Sequence, residues 1–174
     1  MSQKIEITNN WNIQRVFNEL ENGNIKIPRF QRGYVWERSK IVKLLNSIYK
    51  EHPIGSFFIW EADAKYSNFC REIKELGFQQ KPEANKFLFI IDGQQRITSL
   101  YVSLMGKKLG DVDYASICFN LDRKCFQIPK LKTEPNNIPA WKILLGRKYS
   151  CSENTDSYIC FSNCSDDFIK SSCL

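Results

Sequence analysis

Apolar residues recur at the 3.6-residue spacing of an α-helix in three segments of the 174-residue chain, which predicts helices near 13–20, 37–51 and 97–104. Asn9 or Asn10 is expected to cap the first helix, and Gly23 and Gly106 supply stop signals after the first and the third. Pro139 is predicted to open a last helix that continues to Leu145.

Shorter apolar runs predict the strands. Residues 25–28 form a short strand that ends at Pro28, 57–60 form a buried strand, and the unbroken apolar run 87–91 is the strongest strand signal. Residues 115–121 and 124–128 flank Asp122-Arg123 and predict a β-hairpin. The polar stretch 61–86 is expected to be a connection or an insertion.

The resulting order of elements, α-β-α-β-β-α-β-β-α, predicts a mixed α/β (α+β) domain. We place this domain at 1–148 and assign 149–174 to a tail that is rich in serine and cysteine and has no apolar periodicity. The pattern leaves open whether this tail is ordered.

Composition narrows the class of protein. Hydrophobic residues make up 43% and charged residues 25%, which excludes collagen-like, low-complexity and wholly disordered chains. The longest apolar run is far shorter than the roughly 20 residues that span a bilayer, and Met1–Glu6 has no apolar signal segment. We therefore expect a cytoplasmic protein without membrane contact. Seven cysteines, an odd number, are expected to be reduced, and Cys160-x3-Cys164 is an incomplete zinc ligand set.

Positive charge is concentrated between Lys26 and Lys50, where seven basic residues stand against one acidic residue, Glu37. A local excess of this kind attracts polyanions, which are phosphate-bearing ligands or nucleic acid. For Lys40, Lys43 and Lys50 a solvated helix face is an equally good interpretation.

The segment Asp92-Gly93-Gln94-Gln95-Arg96 stands between the predicted strand 87–91 and the helix that follows it. Gly93 permits a positive φ or the close approach of a ligand, and the start of the helix presents unsatisfied N–H groups to an anion. Arg96 opposes the helix dipole unless an anion lies between them. Asp92 could cap the helix or bind Mg²⁺, and Gln94 and Gln95 could orient water or phosphate. A plain strand–helix turn with an exposed arginine is an equal alternative.

A second candidate cluster lies in the predicted loop 29–36, which combines two arginines, a glutamine and three aromatic residues. This composition suits phosphate contact together with stacking on a base or ribose. Gln31 and Arg32 are the candidate ligands, whereas Phe30 is expected to anchor the loop to the core. Gly55 and Ser56 could add backbone amides to the same anion site.

Three blocks of the chain, 28–36 (PRFQRGYVW), 53–60 (PIGSFFIW) and 91–100 (IDGQQRITSL), resemble the DUF262 family in sequence and in order. This family is the N-terminal domain of GmrSD-type modification-dependent (type IV) restriction enzymes, and the resemblance covers about residues 10–145. It implies a ParB/sulfiredoxin-like fold with a small mixed sheet flanked by helices. It also implies binding of a nucleoside triphosphate (GTP or ATP) with Mg²⁺, NTP hydrolysis in several members, and coupling of turnover to recognition of modified foreign DNA.

The resemblance also assigns roles to residues. Asp92, Gln95 and Arg96 would be catalytic, and Asp92 would carry the metal. Phosphate chemistry of this type depends on positioning and charge neutralisation, so Arg32 and Arg96 would stabilise the phosphoryl oxygens. The remaining nucleotide-binding positions are Gln31, Gly55, Ser56, Gly93 and Gln94.

One departure concerns the nuclease. Many family members carry an HNH nuclease domain, but this sequence has a single histidine, His52, and cannot itself form an HNH site. We therefore expect an HNH partner domain or subunit and no nuclease site in this chain. Two alternatives stay open: a non-catalytic DNA-binding or interaction module that uses the basic residues between Lys26 and Lys50, and a truncated, inactive remnant.

Overall fold

The computed structural model describes residues 11–71, 85–130 and 136–144 of the chain. Four α-helices lie among them: α1 (Ile13–Glu21), α2 (Arg38–Tyr49), α3 (Gln94–Leu104) and α4 (Ala140–Leu144). The strands are β1 (Ile25–Pro28), β2 (Phe58–Asp63), β3 (Cys70–Arg71), β4 (Lys86–Asp92), β5 (Lys108–Leu109), β6 (Val112–Asp113), β7 (Cys118–Asn120), β8 (Cys125–Gln127) and β9 (Asn137–Pro139).

The central sheet has four strands in the order β2-β4-β1-β3. β1 runs parallel to β4, whereas β2 is antiparallel to β4 and β3 is antiparallel to β1. β4 therefore has a neighbour on each side, which agrees with the unbroken apolar run that predicted it. The predicted mixed α/β class, with a small mixed sheet flanked by helices, is confirmed.

The two faces of β4 contribute to two separate apolar clusters, because successive side chains of a strand point to opposite faces. Ile90 belongs to the main core, where α1, α2 and α3 pack against the sheet. Phe87 and Phe89 belong to a smaller cluster with Ala62 and Cys70. The helices thus cover one face of β4, and the segment from β2 to β3 packs on the other.

The ends of the first helix differ from the expectation. Asn12 is the N-cap of α1, and its side chain accepts a hydrogen bond from the backbone N–H of Arg15 at 2.8 Å. The expected caps Asn9 and Asn10 were therefore wrong. An Asn side chain satisfies one of the N–H groups that a helix start leaves free, and Asn12 is the asparagine placed to do so.

β2 is longer and more exposed than the predicted buried strand 57–60. It continues to Asp63, and Phe58 and Trp60 are 52% and 38% exposed. Part of the expected connection 61–86 is ordered structure, because a 3₁₀ helix (Ala64–Phe69) and β3 follow β2 directly. The prediction of a buried strand was wrong because β2, among the described strands, lies at the edge of the sheet and pairs with β4 alone.

The second half of the chain forms a three-stranded sheet in the order β8-β7-β9. The predicted hairpin is confirmed as β7 and β8, and the last helix begins at Ala140, directly after Pro139. β9 was not predicted. Asn46 of α2 fastens this sheet to the main core, since its side chain accepts from the N–H of Phe126 at 2.8 Å and donates to the carbonyl of Phe126 at 2.9 Å.

The basic residues between Lys26 and Lys50 do not form one face. Ile25 of β1 points into the main core beneath α2, so Lys26 lies on the opposite face of the sheet. Lys40 and Lys43 are exposed on α2, on the helical side. The positive window is therefore divided between two surfaces.

Cys70, Cys118 and Cys125 are free thiols, as expected, and the other cysteines fall outside the described residues together with the tail 149–174. Among the helices of the described ranges, none has both the length and the apolar character needed to cross a bilayer.

Candidate functional site

The candidate site is built around the start of α3, directly after the edge of the sheet where β4 ends. Gly93 is the N-cap residue, with a φ of 92°, and no side chain of the described residues caps the helix. Of the two roles that the sequence left open for Asp92, capping of the helix was therefore wrong. The first N–H groups of α3 lack a capping partner, and they carry the partial positive charge of the helix dipole.

Gly93 is needed at this turn for two reasons. A positive φ is readily adopted by glycine and is strained for other residues. In addition, a Cβ atom at residue 93 would overlap the ring of Phe57 and lie 3.3 Å from a terminal nitrogen of Arg96. The bare backbone of Gly93 thus lets the loop before β2 pack against the start of α3.

Arg96 fastens that loop. Its two terminal nitrogens donate to the carbonyl oxygens of Ile54 and Ser56, the latter at 2.8 Å, and one of them also contacts the Asp92 carboxylate at 3.1 Å. The guanidinium carbon lies 5.0 Å from the centroid of the Phe57 ring. The Arg96 side chain is 16% exposed, so it is held between the loop and the helix.

Gln95 holds a second loop in a similar way. Its side-chain oxygen accepts from the N–H of Val35 at 3.0 Å, and its side-chain nitrogen donates to the carbonyl of Gly33 at 2.9 Å. An amide side chain that bonds both a backbone N–H and a backbone carbonyl makes the same kinds of hydrogen bond as a neighbouring β-strand would. Gln95 therefore fixes the position of the 33–35 segment against α3.

Gln31 ties the same loop to the end of β4. Its side-chain nitrogen donates to the carbonyl oxygens of Ile90 and Ile91, at 2.6 and 2.8 Å. Arg32 follows directly and is exposed, and within the described ranges it has neither a hydrogen bond nor an ion pair. The backbone of Arg32 is thus held at the end of β4, while its guanidinium stays available to a ligand.

Gln94 is the buried member of the motif. Its side chain is 4% exposed, and its oxygen accepts a long hydrogen bond of 3.5 Å from Gln95. Its side-chain nitrogen has no partner among the residues that the structure describes. This nitrogen is not among the buried side-chain atoms that lack a partner, so it is accessible to solvent and can donate to a ligand there. Gln94 therefore supplies a donor at the uncapped helix start.

The side chains of Gln31, Gln95 and Arg96 bring segments 31–35, 54–56 and 90–96 together at the start of α3. Arg96 holds Gly55 and Ser56 against α3 by donating to the carbonyls of Ile54 and Ser56, and Gly55 has a φ of 83° with Arg96 packed against it. The polar side chains fall into two groups. Gln31, Gln95 and Arg96 bond to the backbone, whereas Arg32, Asp92 and Gln94 keep groups that a ligand could use.

Phe30 was expected to anchor the loop to the core, and this expectation was wrong. Its side chain is 79% exposed. The aromatic residue that anchors the loop is Tyr34, which packs against the main core and lies 2.8 Å from the Ser99 hydroxyl. Because that hydroxyl donates to the carbonyl of Gln95 at 2.6 Å, Tyr34 is the donor to Ser99.

Sequence reasoning missed this Tyr34–Ser99 pair. Burial raises the pKa of Tyr34 well above the ordinary tyrosine value, so it stays a neutral donor. The available signal was that Ser99 lies one helical turn after Gln95, on the same side of α3. Nothing in the sequence indicated which of the loop's three aromatic residues would reach it.

A magnesium ion would depend on Asp92. Its carboxylate is 74% exposed, and only one of its oxygens is bonded to Arg96. In the described part of the chain, no three His, Cys, Asp or Glu side chains are grouped as metal ligands. Mg²⁺ commonly binds one or two carboxylates together with the phosphates of a substrate, so a lone carboxylate beside an anion site fits it.

Comparison with known proteins identifies the family of this domain. The model for the GmrSD restriction endonuclease, N-terminal domain, matches residues 13–169. The chain therefore belongs to this family and is a restriction-system domain, which confirms the resemblance found in the sequence.

A relative was found in an archaeon. An uncharacterized protein of Methanocaldococcus jannaschii is 28% identical over 146 residues, a match that covers 70% of this chain and 24% of the relative. The chain thus spans about a quarter of the length of that protein.

Proposed function

We propose that this chain binds and hydrolyses a nucleoside triphosphate and acts as a regulatory domain of a modification-dependent DNA restriction system. The observation that carries the proposal is the uncapped start of α3 after Gly93, with the unpartnered amide nitrogen of Gln94 beside it. Uncapped helix starts bind phosphate through their N–H groups and their dipole.

In this proposal the ligand is held by three kinds of group. The N–H groups at the start of α3 and the Gln94 amide donate to phosphate oxygens, and Arg32 neutralises their charge through its free guanidinium. Asp92 holds Mg²⁺, which supplies neutralisation of the phosphate charge when bound. GTP and ATP are the candidate nucleotides.

Gln95 and Arg96 enter the proposal as positioning residues. Their side-chain donors are engaged with backbone carbonyls of the 33–35 and 54–56 segments. They keep two loops against α3 and so keep the anion site open to the phosphates. This differs from the catalytic roles that the resemblance implies for them.

The DNA and nuclease partners that we propose concern the whole protein of which such a domain is part. The matched relative is about four times as long as the segment that aligns with this chain, so other regions accompany this domain there. We propose modified DNA as the molecule sensed and an HNH nuclease domain or subunit as the effector that nucleotide turnover controls.

The test measures binding and phosphate release for each nucleoside triphosphate, with and without Mg²⁺. Arg32→Ala is expected to weaken binding by about tenfold or more, since a hydrogen bond to a charged group contributes ~1.5–3 kcal/mol. Asp92→Asn is expected to remove the Mg²⁺ dependence. Lys43→Ala on α2 is the matched control, because it removes one exposed charge on the helical side and should leave binding unchanged.

The absence of nucleotide binding by the folded wild-type chain would contradict the proposal. Equal losses of nucleotide affinity in Arg32→Ala and Lys43→Ala would also contradict it, because the affinity would then depend only on the net charge of the chain. Binding without phosphate release would remove the hydrolytic part and leave a nucleotide sensor.

A second candidate function is a non-catalytic DNA-binding module. It is favoured by the exposed lysines Lys40 and Lys43 on α2, with Lys50 directly after the helix. This function predicts that Lys43→Ala lowers the salt dependence of duplex DNA binding, because each phosphate contact releases a counterion. Asp92→Asn would leave such binding unchanged.

A further inference from the structure

The fold brings Arg71, an arginine that no sequence motif contains, to the loop beside α3. β3 is antiparallel to β1, and Arg71 is the Cα partner of Ile27, one residue before the end of β1. β1 and β4 run parallel, so the carboxyl ends of these two strands lie at the same end of the sheet. Arg71 is therefore placed at the end of the sheet where β4 leads into α3.

The side chain of Arg71 points to the helical face of the sheet. Cys70, the residue before it, packs with Phe89 in the smaller cluster on the other face. Successive side chains of a strand point to opposite faces, so Arg71 lies on the face that the helices cover. Its strand partner Ile27 shares a face with Ile25, a member of the main core, and paired residues of neighbouring strands also share a face. Both observations place Arg71 on the same side as α3.

The guanidinium of Arg71 lies against the 29–33 segment. One terminal nitrogen reaches the carbonyl of Arg29 at 3.4 Å. The other lies 3.5 Å from the position that a Cβ atom would take at residue 33. The carbonyl of Gly33 in turn accepts from the side chain of Gln95 at 2.9 Å. Gly33 thus lies beside both the Arg71 guanidinium and a side chain of the first turn of α3.

No acidic side chain of the described ranges compensates the charge of Arg71 through an ion pair, and the same holds for Arg32. Arg32 directly precedes Gly33 in the chain. Two guanidinium groups without a carboxylate partner are therefore attached beside Gly33. The planar fork of a guanidinium matches the oxygens of phosphate, so an anion of this kind is complementary to the pair.

The other arginines nearby are more fully engaged. Arg96 bonds to the Asp92 carboxylate and to two backbone carbonyls. The Nε of Arg29 donates to the carbonyl of Cys70 at 3.0 Å. Within the described ranges, Arg71 makes one long hydrogen bond from one terminal nitrogen. A guanidinium has five N–H donors, so most of those of Arg71 can serve a ligand.

We propose that Arg71 binds the phosphates of the nucleoside triphosphate together with Arg32. This proposal rests on the proposed function, and it adds a phosphate ligand from β3 to the groups that follow β4. The start of α3 and the Gln94 amide would donate to the phosphates from one side of the site. The guanidinium groups of Arg71 and Arg32 would neutralise their charge from the side of Gly33.

The first test measures the affinity of the full chain for non-hydrolysable analogues of GTP and ATP, with Mg²⁺, by isothermal titration calorimetry. Arg71→Ala is expected to weaken binding about 10- to 150-fold, the effect of losing a hydrogen bond to a charged group. Arg71→Lys should lose less, because it keeps the charge without the fork.

Arg123→Ala is the matched control for this test. Arg123 is an exposed arginine of the turn between β7 and β8, and its guanidinium donates to Gln127 at 3.1 Å. That hairpin is fastened near the carboxyl end of α2 through Asn46, whereas the 29–36 segment precedes the amino end of α2. Arg123→Ala removes the same charge as Arg71→Ala and should leave triphosphate affinity unchanged.

The second test separates phosphate binding from support of the loop. Arg71→Gln keeps side-chain N–H donors but has no charge, so we expect it to weaken binding about as much as Arg71→Ala. Salt screens interactions between charges, so the difference in affinity between wild type and Arg71→Gln should narrow as the ionic strength rises. A merely structural role of Arg71 would not give this dependence.

Wild-type affinity in Arg71→Ala, together with a loss in Arg32→Ala, would overturn this proposal and leave the proposed function intact. Wild-type affinity in Arg71→Gln would also overturn it, because Arg71 would then act through its hydrogen bond to Arg29. An equal loss in Arg123→Ala would overturn it by showing that only net charge matters. No triphosphate binding by the folded wild-type chain would overturn the proposed function and this proposal together.

Discussion

Gly93 shows how much of the site a single residue determines. It combines a positive φ with close packing against Phe57 and Arg96, so a side chain at residue 93 meets both backbone strain and steric overlap. Gly110 has a positive φ of 58° as well, but a Cβ atom there would meet nothing within 4 Å. A substitution at Gly110 therefore shows the effect of backbone strain alone, whereas one at Gly93 shows strain and steric overlap together.

We expect Gly93→Ala to destabilise the fold considerably more than Gly110→Ala. The left-handed conformation alone costs a non-glycine residue ~1–2 kcal/mol, which Gly110→Ala would show. Overpacking adds ~1–3 kcal/mol at residue 93. Urea denaturation of both variants measures the difference, and equal free energies of unfolding would contradict the packing described around Gly93.

At the residue scale the sequence indicated which segments are adjacent to the start of α3 but not which atoms their side chains bond to. The glycine at the strand–helix turn and the anion-binding helix start follow from local rules, so Gly93 could be assigned directly. The roles of Gln31 and Gln95 depend on hydrogen bonds to residues about 60 positions away along the chain. No local pattern encodes such a bond.

At the scale of single elements, prediction succeeded where an element has its own periodicity. α2, α3 and β4 were recognised from apolar spacing and from an unbroken apolar run. β3 and β9 have two and three residues, and each is defined by the strand beside it. Elements this short have no period that a sequence pattern could reveal.

Asn46 connects two of these elements and was not singled out in the sequence. Asn46→Ala removes two hydrogen bonds and leaves the N–H and carbonyl of Phe126 without their partner. We expect a loss of ~2 kcal/mol in the free energy of unfolding and faster hydrogen exchange at the Phe126 amide. Asn18→Ala is the control, because Asn18 accepts an exposed hydrogen bond within α1. Equal effects of the two variants would exclude a fastening role for Asn46.

At the scale of the whole molecule, buried phenol groups set an upper pH limit for the fold. Burial raises the pKa of Tyr34, Tyr101 and Tyr114, and a hydrogen bond to Glu21 also raises that of Tyr101. The folded state therefore keeps these groups neutral at a pH where the unfolded chain ionises them. The unfolded state binds fewer protons from about pH 10 upward, so stability falls as the pH rises through this range.

Tyr101→Phe should reduce this alkaline loss of stability. One tyrosine contributes a slope of up to about 1.4 kcal/mol per pH unit above pH 10, and the variant no longer has that contribution. Urea midpoints measured from pH 8 to pH 11 test this expectation. Tyr66→Phe, in the 3₁₀ helix after β2, is the control variant. An unchanged slope in Tyr101→Phe would show that its hydroxyl does not stay neutral in the folded state.

The hydrogen bonds of Gln31, Gln95 and Arg96 have an evolutionary consequence. Their partners at residues 33, 35, 54, 56, 90 and 91 are main-chain atoms, which every amino acid provides except for the proline N–H. Side chains at positions such as Val35 and Ser56 can therefore diverge among homologues without loosening these attachments. Side-chain changes in the loops beside α3 can thus alter ligand preference without removing the contacts that orient these loops.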